Sequence, residues 1–328
     1  MNAFLKKNLK KFLTPKFGNV GSAIHRTDLK NALVVSVYHD VTETPSEFSR
    51  LFRLNVFPKI FERQIEFIKN NLNIISPDDL VSGSIPPYAA MISFDDGFQS
   101  YFRCALPILS RHKVPSIVFL NMEPVQRKNF WPGIVAYLFK YSRQFREHLE
   151  VMSKGKVSED NLFPFSSKEM TDEYKNMVAA CHEEIARFIG RFATENDLLT
   201  ASREPNVFFG NHLFNHFVPA QLSDDEFVRS FSINQAELKK YPNSRLMFSF
   251  PFGQPGTSFS ERHINLLSEQ GVGKLFSSSG RINYNLGARC LDRVVLDSTH
   301  DSNEKIWGQI YFRTFVEKMS RSKYHGTE

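Results

Sequence analysis

At 328 residues, 41% hydrophobic and 23% charged, the chain is long enough to bury a sizeable core as one large domain or two smaller ones, and its composition excludes a fibrous or low-complexity protein. The formal net charge of +6 sits at one end: residues 1–30 carry seven Lys and Arg against Asp28 alone, so the remaining 298 residues balance at zero. That distribution speaks against a basic nucleic-acid-binding face, and the three distant cysteines (Cys104, Cys181, Cys290), which lack metal or redox spacing, fit unpaired thiols in a reducing compartment.

The chain opens with MNAFLKKNLKKFLTPKFG, in which Leu5, Leu9, Phe12 and Leu13 share one helical face and lysines occupy the others. Charge interrupts the apolar positions too often for a secretion signal or a membrane span. Residues 1–30 are therefore expected to form a basic amphipathic segment, with residues 1–16 either lying on the anionic inner face of a membrane or packing on the domain. The expected location is cytoplasmic, peripheral at that face. Removing residues 1–16 should lower the share of protein recovered with membranes, and an unchanged share contradicts the membrane reading.

Strand-like and helical runs then alternate. Strands are predicted at Ala32–Tyr38, Ala89–Phe94, Ser116–Leu120, Val207–Gly210, Leu246–Phe250 and Val294–Leu296. Helices are predicted at Phe57–Asn70, at Phe98–His112 with a bend near Pro107, at Asp224–Lys240 and at Ser260–Gln270. Apolar strands alternating with helices imply a parallel sheet covered on its outer face, either an α/β barrel or a doubly wound sheet. From about 121 to 206 no convincing strand occurs. Trp131–Phe145 and Lys168–Phe192 read as helices of an insertion above the sheet, serving as a substrate wall or as a purely stabilising pair. Trp131 itself suits either sugar stacking or core packing.

Three Asp-Asp pairs occur. Asp78-Asp79 follows Ser76 and Pro77, and Asp224-Asp225 follows Ser223 with Glu226 at capping-box spacing, so both pairs belong to helix starts. Asp95-Asp96 differs because it ends the apolar run AAMISF, where two like charges are costly without a cation beside them. His212 and His216 follow another apolar strand at i, i+4 spacing, which in a helical turn puts both imidazoles on one side. Two imidazoles and one carboxylate make a three-ligand site for zinc or a similar divalent ion with a position open to water. One aspartate can be a ligand while its neighbour takes a proton from water beside the cation.

The order SFDDG, GNHLFNH, SFPFG resembles the polysaccharide deacetylase family, carbohydrate esterase family four, over about 33–297 with the insertion outside the match. The resemblance implies a distorted (β/α)7 barrel with a helical insertion, binding one divalent metal, most simply Zn2+. It implies Asp95 as general base, and Asp96, His212 and His216 as metal ligands. The Phe252 N–H would face the oxyanion. SVYHDV resembles the Tyr-His segment of the biofilm poly-N-acetylglucosamine deacetylases, which makes His39 the candidate general acid.

Three departures stand out. Leu213 replaces a Ser or Thr after the first histidine. Ser249 stands where the family often has the arginine that steadies the base, and Arg293, entering the last strand, is the best-placed substitute. No Leu-x-His follows the third motif, so the acid role falls to His39.

The domain reading is a segment at 1–30, a catalytic domain at 31–316 with its insertion at about 121–206, and a tail at 317–328. The expected activity is metal-dependent removal of an N-acetyl group from an N-acetylated sugar in a polysaccharide or lipid-linked glycan precursor. The partner is the glycan, with no nucleic acid. A non-sugar amide hydrolase and a glycan-binding protein with a vestigial site are the alternatives.

Overall fold

Apolar runs without polar alternation dictate the architecture, because a strand buried on both faces must be covered on both. The computed structural model describes residues 29–127, 129–159 and 161–324, so the amphipathic segment expected at 1–16 lies outside the described residues. The strands are β1 (Leu33–Tyr38), β2 (Asp40–Val41), β3 (Asn55–Val56), β4 (Asn73–Ile74), β5 (Ala89–Phe94), β6 (Ser116–Leu120), β7 (Val207–Asn211), β8 (Ser244–Ser249), β9 (Lys274–Phe276), β10 (Cys290–Leu291) and β11 (Arg293–Val295). β1, β5, β6 and β7 are buried at every position.

The main sheet runs β10-β9-β8-β7-β6-β5-β1-β11, and every pair is parallel. β4 pairs with the start of β5 at Ala89 and Ala90, below the stretch from Ile92 that pairs with β6. β10 and β11 occupy opposite ends of this order, yet only Asp292 separates them in the chain. The sheet must therefore curl round until its two ends meet. Asn283 fastens the seam: its Nδ2 donates to the carbonyls of Leu33 and Asp292 at 3.1 and 2.8 Å, and its own carbonyl accepts from the Leu33 N–H at 2.9 Å. The result is a nearly closed parallel barrel, as the resemblance implied.

Most outer helices form where the sequence placed them. Pro58–Asn71 turns Phe61, Ile65 and Ile68 onto the sheet, and Asp224–Leu238 starts in the expected Ser223–Glu226 capping box. Ser76 and Asp79 form a second such box. The predicted bend near Pro107 is a π-helical turn at Tyr101–Ala105 followed by an α-helix at Leu106–His112, with proline in its first turn, where no N–H is needed. One helix runs Asn303–Tyr324, so the tail boundary expected at 317 falls inside a continuous element. None of the described helices is long and apolar enough to cross a membrane.

The insertion is more broken than predicted. Ser142 ends one helix at Tyr141 and caps the next, Arg143–Met152, by accepting from the Phe145 N–H. Lys168–Phe192 divides into helices at Lys168–Glu173, Lys175–Ala180 and His182–Ile189. These pieces share an apolar cluster including Trp131, Leu138, Phe145 and Phe188, into which Phe48, Phe98 and Val218 from barrel loops also pack. The insertion thus has its own core, seated on the carboxyl ends of the strands. Its last segment is tied to the turn after β5: Gln99 N–H donates to Arg191 O and Ala193 N–H to Gly97 O, both at 2.9 Å.

Candidate metal centre

At the end of β5 the backbone reverses through Asp96 (φ 70°) and Gly97 (φ 80°). The left-handed backbone favours glycine at 97, where a Cβ would lie 2.7 Å from Leu120 Cδ2 and push that side-chain end aside. The reversal sends the two carboxylates in different directions, and both are buried, at 4% and 3% exposure.

Asp96 faces the two histidines. Its Oδ1 lies 3.5 Å from His212 Nε2 and 3.1 Å from His216 Nε2, and the three candidate ligand atoms lie within 4.8 Å of one another. Ligands about 2.1 Å from one tetrahedral ion sit roughly 3.4 Å apart, so the spacing suits such an ion. The donor set suits it too. His212 Nδ1 is 2.7 Å from the Ser249 carbonyl, which can only accept, so the proton lies on Nδ1 and Nε2 of the neutral ring presents a lone pair. Burial above all pushes the His216 imidazole below its usual value, which keeps it neutral near pH 7. Asp96 Oδ1 and His216 Nδ1 are buried without a hydrogen-bond partner. The Asp96 oxygen and the His212 Nε2 lone pair repel each other until a cation joins them. The residues therefore fit a divalent ion.

The histidine turn is shaped by left-handed backbone at Leu213 (φ 60°) and His216 (φ 55°), which costs about 1 kcal/mol per residue and needs support from its surroundings. Three buried amides supply that support. Asn121 Nδ2 donates to the carbonyls of His212 and, at 2.8 Å, Leu213. Asn234 Nδ2 donates to Leu120 O at 2.7 Å and Asn211 Oδ1 at 2.9 Å, while Asn211 Oδ1 also accepts from the Leu213 N–H at 3.0 Å. Leu213, fully buried against Phe227, Phe248 and Phe250, anchors the turn by packing where the family pattern has a hydroxyl. Sequence reasoning missed Asn121, Asn211 and Asn234; the first two sit at strand ends, which is the one available signal, while Asn234 lies within the helix Asp224–Leu238.

Asp95 turns toward Arg293 on β11, with its Oδ2 still 3.8 Å from His212 Nε2. Nη1 and Nη2 of the fully buried guanidinium donate to Oδ1 and Oδ2 at 2.7 and 2.6 Å. Nε donates to the Ser277 carbonyl (3.0 Å), the second Nη1 hydrogen reaches Ser93 Oγ (3.4 Å), and the second Nη2 hydrogen is shared between Ser249 Oγ (2.7 Å) and Ser278 Oγ (3.0 Å). Ser249 thus leaves room for an arginine that arrives from another strand. Burial pushes the Asp95 carboxyl up, but the Arg293 charge, with His212 second, outweighs it and holds the group below the usual carboxylate range.

A cleft of about 310 Å³ opens over these groups. His39, between β1 and β2, lines it half-buried, and so does Phe252, whose backbone is also left-handed (φ 62°). The insertion contributes Phe130, Pro132 and Phe163, so it walls the cleft rather than standing apart from it. Trp131 does not line it. Its ring, 3% exposed, packs against Phe163, Phe217 and Phe252, which is the core-packing alternative. Burial pushes the Cys290 thiol up to about 12, making it unreactive, and all three cysteines are free.

A parallel α/β barrel with two imidazoles and two carboxylates at its strand ends defines the class: an enzyme-type barrel with a candidate metal centre at the carboxyl face. The family model for polysaccharide deacetylases matches residues 83–273, and the chain belongs to that family. Among solved structures it is similar to IcaB from Ammonifex degensii, with 17% identity and a TM-score of 0.56 over 85% of this chain and 97% of that one. It is similar also to a de-N-acetylase from Aggregatibacter actinomycetemcomitans (16%, TM-score 0.54, 85% and 99%) and to the Streptococcus pyogenes deacetylase PplD in complex with acetate (14%, 0.52, 85% and 98%). At these identities the likeness is one of fold. No curated protein sequence matches the chain.

Proposed function

We propose that this protein is a metal-dependent hydrolase that removes the N-acetyl group from an N-acetylated sugar of a polysaccharide or glycan precursor. The observation that carries this reading is the division of labour between adjacent aspartates, Asp96 toward the Nε2 atoms of two imidazoles and Asp95 toward Arg293.

Asp96, His212 and His216 would hold the ion. When bound, a divalent cation such as Zn2+ supplies positive charge that polarises an acetyl carbonyl and makes water beside it more acidic. Asp95, kept ionised by Arg293, accepts the proton of the attacking water. Phe252 lines the cleft, and its N–H donates to the tetrahedral oxyanion. His39, across the cleft, protonates the departing amine, giving acetate and a free amino sugar. A lipid-linked precursor at the inner membrane face, with the chain in the cytoplasm, is supported by the amphipathic pattern of residues 1–16 alone.

Acetate release from N-acetylhexosamine oligomers, compared with simple acetamides, tests the reading. Release from the sugars but not from the small amides is expected. Turnover of the small amides alone would replace it with a general amide hydrolase.

A further inference from the structure

Arg53 has a place that the deacetylase reading does not use. It follows the short helix Glu47–Leu51 and its cap Phe52, and precedes β3. Its φ of 54° is left-handed, a conformation that helix ends usually assign to glycine. Its backbone is held firmly. The Arg53 N–H donates to Arg50 O, the next residue donates to Ser49 O at 2.9 Å, and the Leu54 carbonyl accepts from the Asp40 N–H beside His39 at 3.2 Å. A long cationic side chain thus occupies a rigid, glycine-favouring corner of the cleft wall.

The side chain is exposed and has no ion pair, hydrogen bond or ring contact among the described residues. The cleft offers it no free carboxylate. Asp95 is engaged by Arg293, Asp96 faces the imidazoles, and both are buried. The other neighbours on that wall, Phe48, Phe52 and Leu54, are apolar. An unpaired guanidinium beside an apolar wall is a recognition element for a planar or tetrahedral anion.

We infer that Arg53 binds an anionic group, phosphate or carboxylate, carried by the substrate near its acetamido sugar. This rests on the deacetylase reading for the sugar and adds the charge that selects it. Arg53 is a specificity residue: it touches substrate away from the reacting carbonyl and discriminates acidic from neutral glycans.

Binding to metal-loaded Asp95→Asn protein tests this without turnover, using N-acetylglucosamine 1-phosphate, N-acetylmuramic acid and neutral methyl N-acetylglucosaminide, titrated by calorimetry. At least one acidic sugar should bind about tenfold or more tighter than the neutral one, with an advantage that shrinks as salt rises. The phosphate and carboxylate arms report which anion is preferred. Adding Arg53→Gly, which suits the backbone there, should abolish the advantage while leaving the neutral sugar unchanged, and Arg53→Lys should restore part of it. Equal binding of all three sugars, or an advantage that survives Arg53→Gly, overturns the inference. An Arg53-dependent preference in a chain that releases no acetate from any sugar would support anion recognition and reject the deacetylase reading instead.

Discussion

Asp95→Asn is expected to lower acetate release by about 10²- to 10⁴-fold, the range for losing a general base, while metal content stays at the wild-type level. The amide has the carboxylate's shape and retains one oxygen to accept from Arg293, but its NH2 opposes the second N–H and the buried guanidinium loses its counter-charge, so the variant should fold with reduced stability. The amide cannot take a proton from water, and Asp96 with both imidazoles is untouched. Steady-state assays beside elemental analysis of the same preparation check both halves. Undiminished turnover would reject Asp95 as the base, and loss of metal would show that it is a ligand.

Truncating Arg293 should produce the largest loss of stability in the barrel. Removing one member of a buried, hydrogen-bonded ion pair typically costs 3–5 kcal/mol, because the remaining charge is left without solvent or partner. Here the deleted guanidinium would leave Asp95, 4% exposed, unpaired, and would orphan acceptors on Ser249, Ser277 and Ser278 as well. Arg293→Ala is therefore expected to unfold at about 3–5 kcal/mol less stability by chemical denaturation. Arg293→Lys keeps the charge but loses the two-pronged contact, so it should fold better than the alanine variant and still turn over slowly. In the Asp95→Asn background the cost of Arg293→Ala should shrink, since no buried carboxylate remains to be stranded. Wild-type stability in Arg293→Ala would show that the pair does not hold the site together.

Much of this site was legible because its chemistry sits at strand ends. An apolar run ending in Asp95-Asp96-Gly97 and another ending near His212 both identify the carboxyl face, and the capping boxes at Ser76 and Ser223 removed the other Asp-Asp pairs from contention. Arg293 was legible only as the cation entering the last predicted strand, the best-placed substitute for the arginine whose position Ser249 takes; the structure shows that this strand pairs with β1. The supporting amides were not. Asn121 and Asn211 are 90 residues apart, and an isolated asparagine carries no periodic signal of the carbonyl it will reach. The breaks within the insertion were hidden for a different reason. Ser142 ends one helix and caps the next, a choice that tertiary packing makes rather than propensity. Arg53 was invisible as a site residue, because it reaches the cleft that His39 lines only through the two-residue pairing of β2 with β3.

Metal stoichiometry measured on purified, metal-reconstituted protein by mass spectrometry of the elements, wild type beside His212→Ala, tests the central assignment most directly. One divalent ion per wild-type chain and next to none in the variant are expected, with both proteins folded by circular dichroism. An ion retained by His212→Ala, or none taken up by a folded wild-type chain at neutral pH, would contradict it.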